Sequence, residues 1–184
     1  GNYTNEAYTA IHRGVLYVLG DLVNNGSIYG EVDGGPGVRG ADEPAVGDGL
    51  RVNGAYIAGS SASLVMPHEN WRMAIGGDYD VAINASGNYD MSLATLAATG
   101  MGGGTQFVEV MSSDIGPVDE GLDPALPGSF PVGTFRVGGG ATVALVDDRD
   151  NDGDGQDLSE VIYTSMLEVA PGATLLTNGY IIYV

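Results

Sequence analysis

The 184-residue chain contains no cysteine and no lysine. Without cysteine there are no disulfides and no thiolate chemistry to consider, and the redox compartment leaves no mark on the sequence. Without lysine the six basic residues are all arginines, set against 24 acids for a net charge of -18. Nucleic acid and anionic membranes would be repelled by that field, which leaves cations and neutral polymers as partners. No apolar run approaches the ~18 residues that a membrane-spanning helix needs. Histidine occurs twice, at His12 and His68, with no pattern of a metal pair, and Trp71 is the only tryptophan. A start at Gly1 without methionine or signal-peptide pattern points to a processed or excised segment.

What the chain has in excess is glycine, 31 residues, and acid, concentrated between Val146 and Glu160. Six Asp, one Asn and one Glu share that stretch with the single arginine Arg149, so like charges crowd together unless something positive sits among them. Counted from Asp148, the alternating donors are Asp148, Asp150 and Asp152, then Gly153 at the turn, then Asp154 and Gln156. Oxygen ligands at every second position around a glycine suit calcium, which takes six to eight of them. The register then departs from a helix-loop-helix site. Position twelve is Ser159 with Glu160 one residue late, and counting from Asp150 puts Glu160 one residue early.

Val143 to Val146 and Val161 to Tyr163 read as strands, so this is a calcium loop without flanking helices. The expected ligands are Asp148, Asp150, Asp152, Asp154, Gln156, Asp157 and Glu160, and the alternative is a merely solvated acidic loop. The ion would be structural, because no histidine lies near and many carboxylates leave no open coordination position.

Along the chain, residues 1–13 read as a polar arm or an irregular first strand, and residues 14–184 as one all-β domain. Loops rich in glycine, proline and acid are expected at 33–48, 112–131 and 147–160. Ser92 to Gly104 is the one segment with the composition of a short helix.

A phrase of the form apolar-x-Val/Ile-x-Gly recurs at Leu16 to Gly20, Leu50 to Gly54, Met73 to Gly77 and Phe135 to Gly139, with an imperfect copy at Leu167 to Ala170. A second phrase is shared by Leu22, Asn25, Gly26 and Ile28 with Leu175, Asn178, Gly179 and Ile181. Short strands separated by glycine corners are what a parallel β-helix or β-solenoid requires, since each coil leaves its face unburied until the next stacks on it. The alternative is a β-sandwich or jelly roll, which the irregular spacing favours.

The segment from Phe135 through Gly138-Gly139-Gly140-Ala141-Thr142-Val143 to Pro171-Gly172-Ala173-Thr174-Leu175 and Asn178-Gly179-Tyr180 resembles the closing coils of large secreted bacterial β-helix proteins of the passenger and adhesin type. The likeness covers residues 135–184 well and residues 14–30 loosely. It implies a β-helix and a secreted location, and it implies no activity.

Three functions fit these observations. A self-associating extracellular structural protein, a surface, matrix or filament subunit, is the leading expectation: homo-oligomeric or polymeric, calcium-stabilised and not an enzyme. A carbohydrate-binding or adhesin module would use Trp71, beside His68, Asn70 and Arg72, to stack on a sugar ring, with Tyr29, Tyr56, Tyr79 and Tyr89 extending the platform. A tryptophan after a proline turn more often plugs the core. A β-helix enzyme acting on acidic polysaccharide is disfavoured, because only arginines are available as bases and the net charge steers such a substrate away.

Overall fold

A computed structural model of the protein describes residues 1–12, 14–30, 49–101, 103–118, 122–153 and 160–184. The chain is a parallel β-solenoid. Its first coil comprises β1 (Tyr3–Asn5), β2 (Tyr8–Ile11) and β3 (Val15–Val18). The second comprises β4 (Leu22–Asn24), β5 (Ser27–Gly30) and β6 (Gly49–Val52), and the third β7 (Tyr56–Ala58), β8 (Ser63–Val65) and β9 (Arg72–Ile75). In the fourth, β10 (Tyr79–Val81) is followed by a 3-10 turn at Ser86–Asn88 and one long strand, β11 (Tyr89–Ala98). The fifth carries β12 (Thr105–Glu109), β13 (Ser112–Ser113) and β14 (Val132–Val137); the sixth β15 (Thr142–Val146) and β16 (Glu160–Val169); the last β17 (Thr174–Leu176) and β18 (Ile182–Tyr183).

Strands stack in three columns. The first face is the seven-stranded sheet β1-β4-β7-β10-β12-β15-β17. The second begins with β2, β5 and β8, the third with β3, β6 and β9, and both meet in β11, which pairs with β8 through Tyr89 and Asp90 and with β9 through Thr95 to Ala98. Among the described pairings only β13 with β16 is antiparallel. Successive parallel strands in the same column exclude the sandwich alternative, whose neighbouring strands run antiparallel.

The recurring phrase is the third face read from coil to coil. Leu16 pairs with Leu50, Leu50 with Met73, Met73 with Leu96, Leu96 with Phe135 and Phe135 with Leu167. Leu50, Met73, Leu96 and Phe135 are buried, and Leu16 and Leu167 pack against them from the ends. Each column position therefore carries one apolar side chain per coil into a continuous core. The positions between them are mixed: Arg51 lies over the Tyr17 ring at 5.4 Å, Arg136 meets Glu168 at 3.5 Å, and the intervening Ala74 and Ala97 are buried.

That ladder corrects the helical expectation for 92–104. Leu96-Ala97-Ala98-Thr99-Gly100 is a further copy of the phrase, with alanine where the others have Val or Ile, and it is strand because β9 and β14 hydrogen-bond it on both sides. Tertiary pairing overrides the helix propensity of alanine here. Of the two readings of the polar N-terminal segment, residues 1–12 follow the strand one and not the arm: β1 and β2 belong to the first coil, paired with β4 and β5. Buried Asn5 donates through Nδ2 to Asn24 Oδ1 at 2.8 Å, and Asn24 donates to the Tyr56 hydroxyl at 3.0 Å, so a polar ladder continues inside the corner. The second phrase is not a true repeat. Leu22 stands in the column of Tyr56, Tyr79, Val108 and Leu145, whereas Leu175 pairs with Val143, two residues away.

The loop expected at 33–48 lies outside the described residues. Of the loops expected at 112–131 and 147–160, residues 119–121 and 154–159 lie outside the described residues; the described parts begin one above the other, in the fifth and sixth coils, where the chain leaves the first face. Phe130 returns the former loop to the core, edge-on to Tyr89 at 5.7 Å. No helix among the described residues is long and apolar enough to cross a membrane.

Candidate metal centre

The first face ends at Glu109 in the fifth coil and at Val146 in the sixth, and these two residues pair in the ladder. Asp147 is the next residue of the sixth coil, and the chain re-enters the stack at Glu160, the first residue of β16. Coil stacking thus brings Glu109, Asp147 and Glu160 to one junction, with an oxygen from each within 4.8 Å of the others. Glu109 and Glu160 are both only 3% exposed.

Each glutamate holds the acidic loop by its backbone. Oε1 of Glu109 accepts the N–H groups of Asp148 at 2.7 Å and Arg149 at 2.9 Å. Oε1 of Glu160 accepts those of Asn151 at 2.5 Å and Asp152 at 2.9 Å. Two anchors on the fourth coil complete the frame. Arg149 makes a bidentate ion pair with Asp80 at 2.8 and 2.9 Å, and the buried Asn151 donates to the carbonyls of Val81 at 2.9 Å and Ile83 at 2.8 Å. Residues 147–153 are therefore built into the stack.

Burial dominates the electrostatics. It pushes the Glu109 carboxyl up to about 8 and that of Glu160 up to about 9, although the four loop N–H groups oppose the shift. The neighbouring carboxylates Asp147 and Asp148 add to it at Glu109, and Asp147 and Asp152 at Glu160. The Tyr180 hydroxyl is raised as well, first by burial and then by Asp147, Asp148 and Glu109. Oε2 of Glu160 and Oδ1 of Asn151 are buried and have no hydrogen-bond partner among the described residues. Such oxygens are costly in a protein interior unless a proton or a cation meets them.

A second group shares Glu160 and adds Asp150 and Asp152. It is more open: Asp150 is exposed, its Oδ1 accepts the Gly153 N–H at 2.8 Å, and Asp152 Oδ2 accepts the Ser113 hydroxyl at 3.1 Å. Gly153 has φ +75, a conformation that favours glycine, so the turn expected at this residue is there.

Of the expected ligands, Asp150, Asp152 and Glu160 are brought together. Asp148 is exposed and belongs to neither group, its backbone being drawn to Glu109 instead. Asp154, Gln156 and Asp157 lie outside the described residues. Glu109 and Asp147 were not among the expected ligands. The available signal for Glu109 was a single charge in the otherwise uncharged run Gln106 to Met111. These acidic clusters, each with a buried glutamate, could hold a metal ion, and their all-oxygen donors are of the hard-cation type.

The aromatic platform is not a surface. Trp71 is 0% exposed, and Tyr56, Tyr79 and Tyr89 are also buried, so none of these four presents a ring face to a sugar, while the half-buried Tyr29 stacks on Tyr8 at 5.3 Å. Trp71 occupies the core against Gly30, where a Cβ would lie 2.6 Å from Cε2 of the indole. His68 accepts the Asn70 N–H at Nδ1, closing the turn before it. Comparison with protein-family models, with curated proteins and with solved structures finds no match for this chain.

Proposed function

We propose that the chain is an extracellular structural protein, a surface, matrix or filament subunit that self-associates through the ends of its solenoid and is stabilised by calcium. The observation that carries this reading is the character of the two end coils. Among the described residues β1, β2 and β3 pair on one side only, and Tyr3, Tyr8, Val15, Tyr17 and Leu19 are exposed there. At the other end Leu176, Ile181 and Val184 are exposed beside β17 and β18, which also pair on one side. Unpaired parallel edges with apolar side chains are surfaces that a further coil covers, from a longer chain or from another copy. Calcium is the hard cation suited to the clustered carboxylates, and its millimolar abundance outside cells matches the extracellular assignment.

Negative-stain electron microscopy with light scattering on the 184-residue chain tests this reading. Filaments or sheets in millimolar calcium, lost on chelation, are the expected result. Dispersed monomers under both conditions would contradict it.

A further inference from the structure

We infer that the cation site lies inside the stack, between Glu109, Asp147 and Glu160, rather than at the exposed Asp-rich turn. The inference rests on the proposal that this junction takes calcium, and it assigns the ligands.

Two observations support this placement. The first is burial. Glu109 and Glu160 are 3% exposed and come from different coils, whereas Asp150 of the outer group is exposed to water and needs no counter-charge. The second is hydrogen bonding. The outer carboxylates already accept from Gly153 and Ser113. Glu160, which both groups share, commits Oε1 to two loop N–H groups and keeps a buried Oε2 with no hydrogen-bond partner among the described residues, so a counter-ion is called for at the buried end of the pair. Asn151 Oδ1 is a further buried oxygen at the same junction, also without such a partner.

The same two glutamates that would ligate the ion already hold the loop in place through Oε1, so the site is preorganised. A cation there joins three parts of the chain: the end of β12, the start of the loop and the start of β16. It acts as a staple between coils. The ligand is a hard divalent cation of calcium's class, because every donor is oxygen and no histidine lies in either group.

Calcium titration calorimetry on the whole chain distinguishes the two groups. Glu109→Gln preserves an oxygen for the Asp148 and Arg149 N–H groups while removing the charge. It should weaken calcium binding by at least about tenfold, and Asp150→Asn should weaken it less. The reverse order, or unchanged binding in Glu109→Gln, would overturn the inner site. If Glu109→Gln loses its far-ultraviolet β spectrum, Asp147→Asn takes its place with the same two outcomes. Absence of calcium binding by the unaltered chain would overturn this inference and the calcium part of the proposed function together. Light scattering on those samples reports assembly separately, so the subunit reading can stand or fall by itself.

Discussion

The first four coils and the junction between the fifth and sixth share one parallel ladder, but different matter fills the space beside it. In the early coils the inward positions are Leu50, Met73 and Leu96 on one face, Ile28, Leu64 and Tyr89 on another, and Leu22, Tyr56 and Tyr79 on the remaining one. Between β12, β15 and β16 the corner holds Glu109, Asp147 and Glu160. Apolar ladders stabilise by leaving water, with no dependence on ions. Buried carboxylates stabilise only when a proton, N–H groups or a cation balances them. One repeating backbone can thus carry both a core indifferent to solution conditions and a junction that responds to them.

The largest expected effect falls on the ladder. Phe135→Ala removes a fully buried ring between Leu96 and Leu167 and should cost about 3–5 kcal/mol. Thermal or denaturant unfolding should show that loss equally in calcium and in chelator; a loss confined to one of them would blur the distinction between the regions.

The junction should instead respond to pH. In chelator, Glu109 and Glu160, raised to about 8 and about 9, keep protons in the folded chain that the unfolded chain releases above its ordinary carboxyl value of 4.5. Their contribution to stability is full below that value and is lost as pH rises through about 8 and 9, because the folded state then binds more protons than the unfolded one. Calcium takes the place of those protons, so the decline should flatten when it is added. A midpoint that falls by the same amount with and without calcium would place the titration elsewhere.

Gly30→Ala probes the packing of Trp71. Its Cβ would lie within 2.6 Å of the indole, so overpacking should cost about 1–3 kcal/mol, independent of calcium. The smallest effect belongs to Arg149→Ala. Its ion pair with Asp80 is exposed, with side-chain accessibilities of 45% and 33%, and should contribute about 0.2–1 kcal/mol, diminishing with salt.

The fold was legible where side chains repeat at the same column position. Leu16, Leu50, Met73, Phe135 and Leu167 stand in one register, and this is the phrase visible in the sequence. The copy at Leu96 escaped because Ala97 and Ala98 lack β-branched bulk and read as helix until neighbouring strands pair with them. The first coil escaped because Tyr3, Thr4 and Asn5 are polar, and it takes the hydrogen bonds of Asn5 with Asn24, Ser27 and Thr9 to accommodate asparagine inside. At the site, the turn at Gly153 and the acids Asp150, Asp152 and Glu160 follow from local spacing. Glu109 does not, since it lies 39 residues before Asp148 and is placed there only by one coil stacking on the next.

Hydrogen–deuterium exchange of the intact chain, in calcium and after chelation, tests the central claim most directly. Chelation should speed exchange at Val110, at the N–H groups of Asp148 to Asp152 and at the start of β16, while β4, β7 and β6 keep their protection. Uniform loss across all coils, or no change at Asp148 to Asp152, would contradict a cation-held junction set within an ion-independent stack.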